Sequence, residues 1–390
     1  MKYINLDNVC EFVRNGASIK QDSQCNEGIP ITRIETISND KFNFDRLGYA
    51  NIKDDKYSDY YLKDKDVLLS HINSAKYLGR SVLYRKKDEN PIIHGMNLLC
   101  LRFIKDKYLP DYFVYYSQSN VAKAYIQKHT KLAVNQASIT STAIKDMPIP
   151  MIEMGKQKEI SKSLDKCNEI IHKHKQLLSK YDFLIKSRFI EMFGDPIQNP
   201  MGWEKTELGN MCKEVRYGTS KPATENGKYT YLRMNNITFE GELDLANTKT
   251  IDISDEELPK CSVQKGDILF NRTNSIELCG KTCLYKLDET MVIAGYIIRV
   301  RVNEKLNPQY VSTFFNTKSI KKLLREMAKG AVNQANINAQ EMQSIQIPVP
   351  PIALQNEYDG FVQQIDKSKF EIWLYLNLCY IIEKRVFTYD

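Results

Sequence analysis

The chain has 390 residues, of which 42% are hydrophobic and 26% charged, and its formal net charge is +7. This length predicts two or three globular domains, and no apolar run reaches the roughly 18 residues of a membrane span. The nine cysteines are scattered, and the start of the chain lacks the apolar region of a signal peptide, so reduced thiols are expected. The positive charge permits nucleic-acid binding without demonstrating it.

The first feature along the chain is an internal repeat with a period of about 200 residues. Residues 6–18 return as 208–220, with identical Leu, Asn, Cys, Val, Arg, Gly and Ser at matching places. Further matches in the same order are 65–70 with 265–270, 79–84 with 280–285, 133–138 with 331–336, and 148–150 with 348–350. Between these anchors the halves diverge strongly. The sequence therefore predicts a tandem duplication in which two copies of one unit recognise two different targets.

Each copy begins with a predicted globular domain that mixes strands and helices. The predicted strands lie at 66–70, 97–104, 267–270 and 294–302, and the predicted helices at 110–128 and 308–329. Both helices begin at a proline, which is favoured in the first turn of a helix. We therefore expect two α+β domains, at 1–150 and 196–350.

After each globular domain the pattern changes to a long helix with a heptad repeat of apolar residues. We predict these helices within 151–195 and 351–390, the first ended by Gly194 and Pro196. The predicted seam residues are Ile160, Leu164, Ile171, Leu178, Tyr181 and Ile185 in the first helix, and Val362, Ile365, Ile372, Leu376 and Val386 in the second.

Each predicted helix is about 33 residues, or about 50 Å, long and cannot bury its seam alone. We expect an antiparallel coiled coil that separates the two domains and relates them by a pseudo-two-fold axis. Two unrelated surface helices, each packed on its own domain, are the alternative. In the second helix Trp373, Leu374 and Leu378 widen the apolar stripe, so a contact with another partner is expected.

Basic and polar side chains in both copies are candidates for DNA contacts, because Lys and Arg neutralise phosphates while Arg and Asn match base edges. The candidates are Arg33, Ser70, His71, Asn73, Arg80, Lys123, Lys128 and Lys131 in the first copy, and Arg233, Asn271, Arg272, Thr273, Asn274, Lys281, Lys321, Lys322, Arg325 and Lys329 in the second. For the lysine-rich helical segments, a solvated face is the alternative. For Arg33 and Arg233, a scaffold or phosphate role is favoured over base contact, and for Asn135 and Asn333 a backbone-bonding role in a turn.

The sequence contains no recognisable catalytic constellation. It lacks the glycine-rich loops that hold phosphates or dinucleotides, and its five histidines all lie in the first half. It also lacks the Asn-Pro-Pro-Tyr or Asp-Pro-Pro-Tyr run with which amino-methyltransferases hold a flipped base. Cys279 and Cys283 have zinc-like spacing but no second Cys or His pair nearby. We therefore expect no active site, metal or cofactor in this chain.

The order domain, helix, domain, helix resembles the specificity subunits of type I restriction-modification systems. The strongest local match is 188–196, Arg-Phe-Ile-Glu-Met-Phe-Gly-Asp-Pro, leading into Asn-Pro-Met-Gly-Trp at 199–203. Residues 266–270 and 347–351, with Gln355, also follow the family pattern. The resemblance covers essentially the whole chain.

The resemblance implies that each globular domain is a target-recognition domain for one half of a bipartite site in double-stranded DNA. It implies that the helices set the distance between the half-sites and dock two methyltransferase subunits. Those subunits carry S-adenosylmethionine and methylate adenine at N6, and motor-nuclease restriction subunits are optional partners. The location implied is the prokaryotic cytoplasm, without a membrane. A coiled-coil scaffold that does not bind DNA and a standalone enzyme are the alternatives.

Overall fold

The structure of the chain is a computed structural model that describes residues 2–21, 26–133, 136–331 and 334–387. The chain forms two compact units: unit 1 comprises Met1–Lys175 and Trp373–Asp390, and unit 2 comprises Gln176–Ile372. Each unit therefore holds a globular part together with portions of a central and a C-terminal helix. Asn135 and Asn333, for which the sequence favours a turn, lie outside the described residues.

The globular part of unit 1 alternates short strands with short helices. Its strands are β1 (Lys2–Asn5), β2 (Cys10–Asn15), β3 (Val67–Ser70), β4 (Ile72–Asn73), β5 (Ser81–Leu83), β6 (Leu98–Phe103), β7 (Lys131–Leu132), β8 (Ala137–Ser138) and β9 (Pro148–Met151). Its helices are α1 (Pro110–Ser117), α2 (Asn120–Lys128) and α3 (Ser141–Lys145). The long helix α4 (Met154–Phe193) follows and continues into unit 2.

Unit 1 is built on an antiparallel four-stranded sheet in the order β2-β6-β3-β5. Successive side chains of a strand point to opposite faces, so β3 contributes to two cores. Val67 and Leu69 belong to the core that includes residues of α1 and α2, whereas Leu68 belongs to a second core. A three-stranded sheet, β4-β8-β7, follows directly from the end of β3, and β1 pairs with β9.

Unit 2 contains the equivalent elements and several more. Its strands are β10 (Lys205–Glu207), β11 (Cys212–Tyr217), β12 (Tyr229–Leu232), β13 (Lys249–Ile251), β14 (Ser262–Val263), β15 (Ile268–Asn271), β16 (Thr273–Asn274), β17 (Thr282–Leu284), β18 (Met291–Ile293), β19 (Ile297–Val302), β20 (Lys329–Ala331), β21 (Gln334–Asn336) and β22 (Gln346–Pro348). Its helices are α5 (Leu258–Cys261), α6 (Pro308–Phe315), α7 (Lys318–Met327) and α8 (Ala339–Gln343), before the long helix α9 (Ile352–Arg385).

The sheets of unit 2 repeat those of unit 1, as the internal repeat predicts. The order β11-β19-β15-β17 matches the central sheet, β16-β21-β20 matches the three-stranded sheet, and β10 pairs with β22. Unit 2 adds a four-stranded sheet, β13-β12-β18-β14, in which β12 and β18 run parallel. In unit 1 the corresponding segments form only isolated β-bridges, such as that between Ile31 and Ile93, in the part of the chain that the structure describes. The segments that repeat in the sequence thus form the sheets common to both units, and the divergent segments form the structure that differs between them.

Each domain helix predicted as continuous is two helices in the structure, so the single helices over 110–128 and 308–329 were wrong. Ser119 accepts a hydrogen bond from the backbone of Ala122 and caps α2. Thr317 does the same for Ile320 at the start of α7. An N-cap residue has extended rather than helical backbone angles, so it interrupts the run of helical residues. The residues after α7 form β20 instead of extending the helix.

In unit 1 the first part of α4 lies antiparallel to the C-terminal part of α9. Leu164 shares a hydrophobic core with Phe387, just beyond the end of α9. Further along α4, the ring centroid of His174 lies 6.0 Å from that of Tyr375, earlier in α9. Residue numbers thus rise along α4 while they fall along the part of α9 beside it, so the two helices run antiparallel. At its far end α4 stops at Phe193, and Gly194 follows with a φ of +76°, as its position in the sequence predicts.

In unit 2 the last part of α4 lies antiparallel to the first part of α9. Nζ of Lys369 lies 2.7 Å from Oδ1 of Asp182, and Oη of Tyr358 donates to the carbonyl of Ile185 at 3.2 Å. Of the predicted seam residues, Leu164, Ile171, Val362, Ile372 and Leu376 are buried, and Ile160, Leu178, Tyr181, Ile185, Ile365 and Val386 are partly buried. Within the described ranges, we find no helix with the length and apolar character needed to cross a bilayer.

Candidate nucleic-acid interface

The candidate site of unit 2 begins at the turn between β15 and β16. Asn271, the last residue of β15, is fully buried, and its Nδ2 donates to the carbonyls of Thr273 and Tyr296. Nδ2 of Asn274 in turn donates to Oδ1 of Asn271 at 3.0 Å. These bonds hold the backbone on both sides of Arg272, so its side chain extends from a rigid base.

Two neighbours hold the guanidinium of Arg272. Its Nε donates to Oδ1 of Asn336 at 3.0 Å, and Oγ1 of Thr273 donates to the same oxygen at 2.9 Å. The guanidinium carbon lies 4.9 Å from the ring centroid of Tyr217, which is within cation–π range. Among the described residues we find no acceptor bonded to either Nη of Arg272, so both Nη groups can donate to a ligand.

Arg272 lies on the wall of an open cleft of ≈ 880 Å³ in unit 2. Three further cations, Lys221, Arg233 and Lys249, also line the cleft, and none of the described lining residues is acidic. Tyr296, also on the wall, is 50% exposed and offers an aromatic face. Because like charges collected in a cleft raise its potential, this cleft attracts anions such as phosphates.

Two of the lining cations also bind within the protein. Nη2 of Arg233 donates to the carbonyl of Asn247 at 3.0 Å. Nζ of Lys221 pairs with Glu257 outside the lining set. The hydrogen bond from Lys221 lowers the pKa of Glu257, so that carboxylate stays ionised and offsets part of the lysine charge. Lys249, on β13, is exposed.

Several side chains that the sequence suggested as DNA contacts are bonded inside unit 2. Lys281 is 8% exposed and its Nζ donates to the carbonyl of Met234 at 2.7 Å, with a pKa lowered by burial. Nζ of Lys321 donates to the carbonyl of Phe239 and lies 3.7 Å from the centroid of its ring. Lys281 and Asn271 are buried, and the ammonium of Lys321 is held against Phe239, so we leave these three residues out of the proposed interface.

The corresponding turn of unit 1 keeps its supporting bond and lacks the arginine. Nδ2 of Asn73 donates to Oγ of Ser70 at 3.1 Å. The place of Arg272 is taken by His71, which is 6% exposed and has a pKa lowered by burial, so it is neutral near pH 7. Ser70 and His71 are both buried and therefore also leave the candidate set.

Two arginines of unit 1 have different surroundings. Nε of Arg33 donates to Oε1 of Gln21 in the divergent segment. Nε of Arg80 pairs with Oδ1 of Asp40 at 2.9 Å, and its guanidinium lies 4.7 Å from the ring centroid of Tyr77. The carboxylate of Asp40 offsets the charge of Arg80, which leaves Arg33 as the stronger candidate for a ligand contact.

The basic helical segments are exposed but separate from the cleft of unit 2. The exposed cations are Lys123, Lys128 and Lys131 in unit 1, and Lys322 and Arg325 in unit 2. Nζ of Lys322 lies 3.9 Å from Oε1 of Glu326 on the same helix. The side chain of Lys329 lies outside the described part. These cations of unit 2 do not line the cleft that holds Arg272.

Sequence reasoning missed Lys221, Lys249 and Tyr217. The two lysines lie in the divergent segment, where no repeat draws attention to them. Tyr217 ends β11 at a repeated anchor, but the first copy has Asn15 at that place. A difference between the copies beside an otherwise repeated anchor was the signal that could have found Tyr217.

The sequence matches the family model of the type I restriction modification DNA specificity domain over residues 1–180 and 200–373. The chain therefore belongs to this family, and it carries two of the family's domains in tandem. One relative is the protein named "Putative type I restriction enzyme MjaX specificity subunit" of Methanocaldococcus jannaschii. It is 32% identical over 386 residues, which cover 93% of this chain and 85% of the relative. The EcoKI specificity subunit of Escherichia coli K12 is 22% identical over 372 residues, covering 90% and 79% of the two chains.

Solved structures share the fold. The S subunit of a type I restriction-modification system from M. genitalium has a TM-score of 0.54 at 13% identity, covering 98% of this chain and 93% of its own. A chain from a study of complex assembly and conformational transition in the type I system has a TM-score of 0.53 at 15% identity, with coverage of 98% and 93%. The α+β fold with two long helices is thus the fold of S subunits. Family membership makes DNA recognition for a type I restriction-modification system the function of this chain.

Proposed function

We propose that the chain is the non-catalytic subunit that reads a bipartite DNA target, with each unit reading one half-site. The observation that carries this proposal is the cleft of unit 2, which Arg272 and three other cations line and whose described lining residues include no carboxylate. Unit 1 presents a different set of side chains, including Arg33, so we expect a different half-site for it. An unread interval separates the two half-sites.

Cations outside the turn are proposed to contact phosphates. Lysine ammonium groups neutralise the DNA backbone without reading bases, and they supply affinity that falls with salt. In unit 2 these are Lys221, Lys249, Lys322 and Arg325, and in unit 1 Lys123, Lys128 and Lys131. Base readout is left to Arg272, whose guanidinium has a fixed geometry and two Nη groups without an internal acceptor among the described residues.

The long helices are proposed to dock two methyltransferase subunits. On α9, Trp373, Leu374 and Leu378 are 54%, 49% and 54% exposed. Large exposed apolar side chains grouped on one helix mark an interaction surface. The relatives are named as specificity subunits of restriction enzymes, which supports partners that carry the chemistry. Those partners would bind S-adenosylmethionine and methylate adenine at N6, motor-nuclease subunits would join for cleavage, and the complex would act on DNA in the prokaryotic cytoplasm.

The test is the methylome of the host with and without this gene. We expect a bipartite methyladenine motif in the wild type that disappears on deletion and returns with a plasmid copy. An unchanged methylome would contradict the proposal. The purified chain with S-adenosylmethionine and DNA is the matching control, because methylation without a partner would favour a standalone enzyme. Salt-independent or absent DNA affinity, in both the chain and its complex, would favour a scaffold that does not bind DNA.

A further inference from the structure

The turn after the central strand has the same backbone arrangement in both units. The carbonyl of Arg272 accepts a hydrogen bond from the amide of Ile337 at 2.9 Å, and the carbonyl of His71 accepts one from Ile139 at 2.9 Å. In each unit an asparagine two residues later donates to the residue that precedes the turn. Residues 272 and 71 therefore occupy equivalent places on equivalent scaffolds.

Three side chains around this place differ together between the units. They are Tyr217, Arg272 and Asn336 in unit 2, and Asn15, His71 and Ser138 in unit 1. In unit 2 the tyrosine and the asparagine both contact the arginine, whereas in unit 1 the histidine is buried. The shared backbone stands without the arginine group in unit 1. Support of the backbone therefore does not explain why Tyr217, Arg272 and Asn336 occur together, whereas contact with a ligand in the cleft does.

We propose that Arg272 determines specificity by reading a guanine in the half-site bound by unit 2. Its two Nη groups are placed to donate to O6 and N7 of guanine in the major groove, which is the acceptor pair that an arginine fork matches. The inference rests on the proposed DNA-reading role of the cleft, and it adds one residue and one base to it. The buried and neutral His71 supplies no equivalent guanine contact in unit 1.

The support of the guanidinium favours a base over a phosphate as its target. A phosphate contact requires a positive charge and tolerates many orientations, as a lysine provides. Here Nε of Arg272 donates to Asn336 and the guanidinium carbon lies 4.9 Å from the ring centroid of Tyr217, so the direction of the remaining donors is set before DNA binds. Orienting a fork in advance reduces the entropy lost on binding, and this matters most where geometry distinguishes one base from another.

The experiment uses the chain in complex with its methyltransferase subunits, expressed in a host that lacks the system. Methylomes are compared for the wild type, Arg272→Ala, Asn336→Ser and the control Lys265→Ala, whose exposed lysine lies outside the cleft. For Arg272→Ala we expect the preference for guanine at one position of one half-site to fall about tenfold to a hundredfold, with all other positions kept. Asn336→Ser keeps the charge of Arg272 and removes the asparagine that holds its Nε, so we expect a smaller loss at that same position. Lys265→Ala should leave the motif unchanged.

The possible outcomes distinguish failure of the guanine contact from failure of the proposed function. A uniform fall in methylation at every site, with an unchanged motif, would make Arg272 a phosphate contact and overturn the proposal. Unchanged methylation in Arg272→Ala would overturn it as well. If Arg272→Ala yields no folded complex, Asn336→Ser decides: a motif relaxed at one guanine supports the proposal, and an intact motif overturns it. A wild-type complex without any bipartite motif would instead overturn the proposed function.

Discussion

Nζ of Lys369 on α9 lies 2.7 Å from Oδ1 of Asp182 on α4 and 3.0 Å from Oε1 of Glu242 in the globular part of unit 2. Only 17% of the lysine side chain is exposed. Burial opposes the charge of Lys369, but the nearby carboxylate of Glu242 and the bonds to both acids outweigh it, so the pKa of Lys369 is raised. One ammonium thus joins both long helices and the globular part within unit 2.

Replacing this lysine should weaken unit 2. We expect Lys369→Met to lower the free energy of unfolding by about 1–2 kcal/mol, because two carboxylates lose their partner while solvent screens them in part. Urea unfolding of the full chain measures the change. The control is Lys173→Met, whose partner Glu169 is 63% exposed, and it should leave stability almost unchanged. Equal effects of the two variants would mean that the buried contact adds nothing.

Gln355 should be among the least replaceable polar residues of unit 2. Its Oε1 accepts from the amide of Asn307 at 2.8 Å, and its Nε2 donates to the carbonyls of Lys305 at 3.1 Å and Pro350 at 2.7 Å. Because the side chain is fully buried, Gln355→Ala strands backbone groups away from water. We expect a loss of about 2–4 kcal/mol in urea unfolding, against almost none for the exposed Gln363→Ala. A loss below about 1 kcal/mol, which is the contribution of a single exposed hydrogen bond, would contradict this account.

Lys321 should make stability depend on pH. Burial, with a contribution from nearby Lys186, lowers the pKa of Lys321 to about 8, whereas an unfolded lysine titrates near about 10.4. The folded state therefore binds fewer protons than the unfolded state between these two pKa values. The free-energy cost of the buried charge is complete below pH 8, and it is relieved as pH rises toward about 10.4. Lys321→Met should raise stability by about 1 kcal/mol at neutral pH, and the gain should shrink across that window.

Thermal unfolding measured from neutral to alkaline pH checks the Lys321 variant against the exposed Lys322→Met on the same helix. The control should show no gain and no dependence on pH in this window. A gain for Lys321→Met that stays constant with pH would point to apolar packing rather than to the buried charge.

Lys249 should contribute to affinity and not to sequence preference. If it neutralises one phosphate, Lys249→Ala reduces the slope of log K against log salt by about 0.9 and leaves the methylation motif unchanged. DNA binding by the complex, measured by fluorescence anisotropy at several salt concentrations, gives this slope. Lys265→Ala, which removes an exposed lysine outside the cleft, should keep the wild-type slope. A relaxed motif in Lys249→Ala would assign this lysine to base readout instead.

The duplication and the long helices were predictable from residues alone. The buried strand residues recur in both copies because the same sheet requires the same apolar pattern, as in β3 and β15. The helices were predictable because apolar residues at heptad spacing can be buried only along a shared seam. The breaks at Ser119 and Thr317 were missed because the capping signal is local and weaker than the helical pattern around it.

Which polar residues face the cleft could not be predicted in this way. Lys281 and Arg272 are nine residues apart by number and both looked like DNA contacts. Nζ of Lys281 is taken up by the carbonyl of Met234, 47 residues away, while Arg272 is directed by Asn336, 64 residues away. A side chain is free or occupied according to what folding brings within hydrogen-bond distance, and that partner is set by strand pairing across the domain rather than by neighbours along the chain.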